Sequence, residues 1–137
     1  MRSDQKILLV EDDEVDVMSI ERALKELGVP NEVKVAANGE EALRWLMESG
    51  HALPGLILLD INMPVMNGIE FLQHLKKDPE RKKIPVVMLT SSREEIDKHQ
   101  AFTLGVAGYM VKPVDPNKYF SVMKTISVYW KTSELPF

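Results

Sequence analysis

At 137 residues, 45% hydrophobic and 28% charged, the chain suits one domain with a substantial core and is not composed like a disordered segment. A net charge of −4 argues against a general nucleic-acid surface, and the absence of cysteine removes disulfides, thiolate metal sites and a cysteine nucleophile. No signal-peptide apolar region follows the first residues and no apolar run is long enough to span a bilayer, so a soluble cytoplasmic protein is the expectation.

Ile7 to Val10 is a compact apolar run, read as strand one, with Glu11, Asp12 and Asp13 directly after it. Val15, Met18, Ile20, Ala23, Leu24 and Leu27 then recur at helical spacing up to Gly28, with Asp13 as the cap and Asp16 favourable in the first turn. Val33, Val35 and Ala36 predict a second strand, placed at an edge because Glu32 and Lys34 interleave. Asn38, with Glu41 three residues on, opens a second helix whose buried stripe is Ala42, Leu43, Leu46 and Met47, with Trp45 packing beside it.

Strand three runs from Leu56 to Asp60, and a loop with Pro64 and Gly68 follows. Asn67 and Glu70 form a capping box for a helix carrying Phe71, Leu72 and Leu75. The basic residues between Lys76 and Lys83 are interrupted by Asp78 and Glu80 and read as a solvated loop rather than an anion site. Pro85 to Leu89 is strand four, ending in Thr90, Ser91 and Ser92. Ser92 and Glu95 predict a capping box for a fourth helix, Arg93 to Leu104, whose apolar stripe is poor and whose packing is therefore weak. Gly108 to Val111 is strand five, leading to Lys112 and Pro113. Asp115 and Pro116 start a last helix with Tyr119, Val122, Met123 and Ile126 on its core side and Tyr129 and Trp130 beyond. Five strand–helix units without a long linker, repeat or low-complexity segment predict an α/β fold, a doubly wound parallel sheet with helices on both faces.

In such a sheet the C-terminal strand ends share one rim. That rim collects Glu11, Asp12 and Asp13, then Asp60, Thr90 and Lys112. Clustered carboxylates repel one another unless a cation or protons neutralise them. Mg2+ is the usual hard cation for one or two carboxylates plus a phosphoryl group. A lysine and a hydroxyl beside an oxygen nucleophile complete the parts for phosphoryl transfer.

Taken as a spaced set, Leu8 to Asp13, Leu58 to Pro64 with Asn67 and Gly68, Val87 to Ser91, and Gly108 to Pro113 resemble the receiver domain of two-component response regulators over essentially the whole chain. The resemblance implies a flavodoxin-like receiver fold with strand order 2-1-3-4-5. It makes Asp60 the acceptor of a phosphoryl group from a phosphohistidine on a sensor histidine kinase. Glu11 and Asp12 become the acidic pair, Asp12 the direct Mg2+ ligand, with Asp60 and the Asn62 backbone carbonyl completing the metal set. Thr90 and Lys112 would contact phosphoryl oxygens, Tyr109 would be the aromatic that swings inward on activation, and Asn62 and Ser92 would tune dephosphorylation. A cis Lys112–Pro113 bond is also implied. Asp13 is read as a helix cap rather than a further ligand.

The few residues after the last helix leave no room for an output domain, so a stand-alone receiver is expected. Its end, Ser127 to Trp130 and then Leu135 to Phe137, is similar to small regulators that partner bacterial phytochrome-type kinases. That similarity implies a homodimer through strand five and the last helix; Tyr129 and Trp130 suit the capping of a monomer core equally well. Against a flavodoxin-like cofactor binder stand the acids after strand one, where a phosphate cradle is needed. Against an aspartyl phosphatase stands Asn62, where a proton-donating acid is needed. The remaining rival is a module of the same fold that is never phosphorylated. His51, His74 and His99 have no zinc-ligand spacing and read as solvated or capping residues.

Overall fold

The computed structural model describes residues 2–48 and 50–137. Strands β1 (Ile7–Val10), β3 (Leu56–Leu59) and β4 (Val86–Thr90) are buried at every position. Successive strand side chains point to opposite faces, so an unbroken apolar run is what a sheet covered on both sides requires. Leu8, Val10, Ile57, Leu59, Val86 and Met88 enter one core, while Ile7, Leu9, Leu56, Leu58, Val87 and Leu89 enter the other. The two remaining strands, β2 (Val33–Ala36) and β5 (Gly108–Val111), are mostly half-buried and lie at the edges. All pairs are parallel and the order is β2-β1-β3-β4-β5. This is the doubly wound fold expected.

Helices α1 (Glu14–Glu26) and α5 (Tyr119–Thr132) cover one face, burying Ile20, Ala23 and Leu24 against Tyr119, Met123, Ile126 and Trp130. Helices α2 (Gly39–Met47), α3 (Gly68–Lys77) and α4 (Glu95–Thr103) cover the other through Ala42, Leu46, Phe71, Leu72, Leu75 and Ala101. Each large apolar side chain taken fully from water contributes about 1.5–3 kcal/mol. By that measure α4, which buries only Ala101 and leaves Ile96 and Phe102 exposed, is the most weakly attached helix.

The caps explain most helix starts. Asp13 accepts from the Val15 and Asp16 amides, Asn38 from Glu41, and Asn67 and Glu70 close a reciprocal box. Three expectations are corrected. The Ser92–Glu95 box does not form: Ser92 Oγ donates to Asp97 at 2.6 Å and accepts from the Glu94 amide, so α4 starts at Glu95 with no side-chain cap. Met47 is exposed rather than on the buried stripe, because it stands in the final residue of α2 as the chain turns away. The Lys112–Pro113 bond is trans, as no described peptide bond is cis; an X–Pro bond favours trans by about 0.5–1 kcal/mol unless its surroundings override this. The last helix opens with a 3-10 turn over Pro116–Lys118, where Asp115 accepts from the Asn117 amide.

Candidate phosphoryl-acceptor site

Backbone pairing delivers the site residues. Val10 lies opposite Leu59 in the ladder, and the Asp60 amide donates to the Val10 carbonyl at 3.1 Å, so Glu11 and Asp60 leave adjacent strands together. Thr90 lies opposite Val111, and the Lys112 amide donates to the Thr90 carbonyl at 2.9 Å. The rim so formed opens as a cleft of about 760 Å³ lined by Glu11, Asp12, Asp16, Asp60, Asn62 and Lys112 among others. A smaller apolar cavity of about 140 Å³ lies elsewhere, among Ile7, Leu24, Leu56, Met123 and Ile126, away from the acids.

Lys112 is the hub of the cleft. Its Nζ lies 2.8 Å from Glu11 Oε2, 2.8 Å from Asp16 Oδ2 and 3.1 Å from Asp60 Oδ2. An ammonium has three N–H donors, and each has a carboxylate here. Burial alone would pull the Lys112 ammonium down, but the bonds to Asp16 and Glu11 and the charge of Asp60 outweigh it and hold the group above the ordinary lysine range. The other Asp60 oxygen accepts from the Ile61 amide at 2.7 Å. Burial pushes Glu11 up to about 7, with the Asp60 charge adding to it and bonds from Lys112 and the Asp13 amide opposing it.

Glu11, Asp12 and Asp60 each bring a carboxylate oxygen within 4.8 Å of the others. Glu11 and Asp60 are buried and Asp12 is exposed. One lysine does not neutralise three acids and Asp16 as well, and hard oxygen donors at this spacing fit a hard divalent cation. Asn62 lines the same cleft, in the loop where the Met63 amide bonds back to the Ile61 carbonyl at 3.1 Å.

Thr90 and Tyr109, expected from the resemblance to act as the switch, stand apart from this centre. Thr90 is fully buried, and its Oγ1 accepts from the Ser92 amide at 3.2 Å; no hydrogen bond joins it to Asp60 among the described residues. In β4 it shares the parity of Val86 and Met88, which face the α3–α4 side. Tyr109 is on that side too, half-buried, its hydroxyl donating to the Ser92 carbonyl at 2.9 Å and its ring 6.3 Å from that of Phe102. The Tyr109–Ser92 hydrogen bond thus ties the strand-four loop to strand five.

A receiver domain of the response regulators is the family model that this chain matches, over residues 7–124. The chain belongs to the response regulator receiver family. It is 35% identical to the response regulator Rcp1 of Synechocystis over 95% of this chain and 92% of that one. Among solved structures it is similar to the phosphorylated cyanobacterial phytochrome response regulator RcpA, at 37% identity, a TM-score of 0.90 and coverage of 98% and 99%. The Mn2+-bound form of Rcp1 is similar as well, at 34% identity, a TM-score of 0.89 and coverage of 97% and 99%. The chain is therefore a receiver domain of two-component signalling rather than a conventional enzyme; receiver domains bind a divalent metal, and the acidic trio has a spacing that could hold one.

Two residues of the site were not singled out from sequence. Local sequence marks Asp16 only as favourable to the helix dipole, and Tyr119 only as core. In the structure Asp16 bonds Lys112 with one oxygen and accepts from the Tyr119 hydroxyl at 2.9 Å with the other. Burial and then Asp16 push the Tyr119 phenol above its ordinary range. A signal existed: Asp16 stands in the first turn of α1, three residues after its cap Asp13, and a helical side chain leans toward the helix N-terminus and hence the rim.

No helix among the described residues is long and apolar enough to cross a membrane.

Proposed function

We propose that Asp60 accepts a phosphoryl group from the phosphohistidine of a sensor histidine kinase, and that this chain acts as the receiver of a response regulator. The observation that carries this reading is the Lys112 ammonium 3.1 Å from an Asp60 oxygen, beside an acidic trio of metal-ligand spacing. Glu11, Asp12, Asp60 and the Asn62 backbone carbonyl would hold Mg2+, which when bound neutralises the acids and draws charge from the phosphoryl oxygens.

The transfer balances without any further reactant. An Asp60 carboxylate oxygen attacks phosphorus, an O–P bond forms, and the N–P bond breaks with its electron pair returning to the imidazole. A proton on the other ring nitrogen lets the histidine leave neutral. The Lys112 ammonium donates to a phosphoryl oxygen as charge builds there. The acyl phosphate that results is hydrolysed slowly in place, with Asn62 and Ser92 flanking the water's approach. So the domain promotes only its own phosphorylation and dephosphorylation.

Phosphorylation replaces the single carboxylate charge of Asp60 with a phosphoryl group of about −1.5 to −2 charges. The Thr90 hydroxyl then donates to the phosphoryl group, the Ser91–Ser92 loop follows, and the Tyr109–Ser92 bond is remade as Tyr109 turns inward. The weak attachment of α4 supports this as the readout face. The likeness to RcpA and Rcp1 favours a phytochrome-type kinase as donor. Exposed Val128 and Tyr129 on α5, and the open edge of β5, favour a homodimer through strand five and the last helix, with no direct nucleic-acid contact. Trp130 does cap the core, its indole N–H donating to the Gly55 carbonyl at 3.3 Å.

The test is incubation with acetyl phosphate and Mg2+. Intact mass should rise by one phosphoryl group in the native protein and not in Asp60→Asn; an unchanged mass in the native protein would overturn the reading.

A further inference from the structure

The bond from Asp16 to Lys112 has no role in the reading above, although it is as short as the one from Glu11 and shorter than the one from Asp60. Asp16 is itself held. Its second oxygen accepts from Tyr119, whose side chain is fully buried between α1 and α5. The result is a chain of contacts, Tyr119 to Asp16 to Lys112 to Asp60, running from the core of one sheet face to the acceptor.

We propose that Asp16, fixed by Tyr119, is the positioning residue for Lys112 in the metal-loaded domain. The inference rests on the phosphoryl-acceptor reading of Asp60. A lysine ammonium sits on a flexible stem with about 2 kcal/mol of rotamer entropy, so it needs anchors to stay over one atom. Of its three carboxylate anchors, Glu11 and Asp60 belong to the set with metal-ligand spacing and Asp16 does not. When Glu11 and Asp60 turn their oxygens to a cation, Asp16 is the carboxylate that still holds the ammonium. Tyr119 keeps that carboxylate from following the charge. With a small donor such as acetyl phosphate, an Asp60 oxygen bonds phosphorus and the bond to the acetyl oxygen breaks, acetate leaving with the electron pair. Lys112 must then already stand where the phosphoryl oxygens gather charge.

Three measurements on the full chain test this. First, Asp16→Asn should lower the rate of phosphorylation at saturating acetyl phosphate and Mg2+ by about tenfold, the lower end of what a hydrogen bond to a charged group contributes. The donor concentration for half-saturation should change little. Tyr119→Phe, which removes one hydroxyl from a packed ring, should lower the rate in the same sense by a smaller factor. Second, in a Lys112→Ala background neither substitution should lower the rate further; a purely structural role would still do so. Third, without any phosphoryl donor, the Lys112 ammonium protons followed by NMR should exchange slowly with water in the native protein with and without Mg2+. In Asp16→Asn they should become fast only when Mg2+ is added. Native rates in both single variants, or a further loss in the Lys112→Ala background, would overturn the inference. A native protein that takes no phosphoryl group would instead sink the reading of Asp60, while the ammonium exchange would still decide the role of Asp16.

Discussion

A Cβ on Gly68 would land on the backbone carbonyl oxygen of Asp60, and the next atoms it would meet, Asp60 C and Ile61 Cα, are both at 3.0 Å. The first turn of α3 is seated directly on the residue that carries the chemistry, and the Gly68 amide seals the contact by donating to the Ile61 carbonyl at 2.9 Å. Because every obstructing atom is backbone, no rotamer change relieves the clash. Gly68→Ala should therefore destabilise the domain by about 1–3 kcal/mol, the usual range for overpacking. It should also slow phosphorylation of Asp60 under conditions where the protein is still folded. Denaturant unfolding and the mass assay check the two halves; a variant of native stability would show that the β3–α3 loop yields freely.

The same loop holds a strained residue. Val65 has φ 68°, the left-handed region, and the Met66 amide bonds back to the Pro64 carbonyl across it at 2.7 Å, closing a γ-turn. A left-handed L-residue costs about 1–2 kcal/mol, and a β-branched one is a genuine outlier. Glycine carries no such cost but loses about 0.5–1 kcal/mol of backbone entropy on ordering. Val65 is 73% exposed, so little burial is lost with its side chain. Val65→Gly should raise stability by up to about 1 kcal/mol. A lower denaturation midpoint would mean that the valine makes contacts in solution that outweigh its strain.

Glu11 sets a pH dependence in the metal-free protein. Its folded pKa is raised to about 7 from an ordinary 4.5, so between those values the folded state binds more protons than the unfolded state. Stability from this group is greatest below the unfolded value and falls as pH rises toward 7, by at most about 1.4 kcal/mol per pH unit. Melting temperature in chelator should decline over that window, and Glu11→Gln should flatten the decline. Saturating Mg2+ should flatten it too, because a cation beside the carboxylate favours its charged form. A melting temperature that rises from pH 4.5 to 7 in chelator, and rises equally in Glu11→Gln, would show that Glu11 is not held protonated.

Thr90 separates phosphorylation from its transmission. Thr90→Ala should still gain one phosphoryl group from acetyl phosphate, since Asp60, the acids and Lys112 are intact. It should not transmit the change to the α4–β5–α5 face. Light scattering with and without beryllofluoride, a phosphoryl mimic, reads the output if that face mediates self-association. The native protein should shift from monomer toward dimer, and Thr90→Ala should shift less. A native protein that stays monomeric with the mimic bound would remove the dimer proposal, and an undiminished shift in Thr90→Ala would remove Thr90 from the coupling.

Much of this architecture was legible in the residue order, for local reasons. An apolar run covered on both faces reads as a buried strand wherever it stands, and Asp13, Asn38 and Asn67 cap helices through bonds to amides two or three residues on. The rim residues followed from the rule that parallel strands end on the same side. The capping box at Ser92 failed because α4 starts at Glu95 and not at Arg93, so Ser92 Oγ accepts from the Glu94 amide instead and donates to Asp97. The isomer of the Lys112–Pro113 bond was likewise beyond local sequence, because the two forms differ by about 0.5–1 kcal/mol before their surroundings act.

By itself, then, the sequence determined the five-unit α/β layout, the acids and lysine at one rim, and the family they spell out. Only the tertiary structure decided that Lys112 is shared among Glu11, Asp16 and Asp60, and that Tyr119, 103 residues from Asp16, holds the far end of that network. The physical reason is range. Capping, alternation and helical spacing act between near neighbours in the chain. The partners of a buried ammonium are chosen by which oxygens the packed sheet and helices bring within 3 Å or so of one nitrogen.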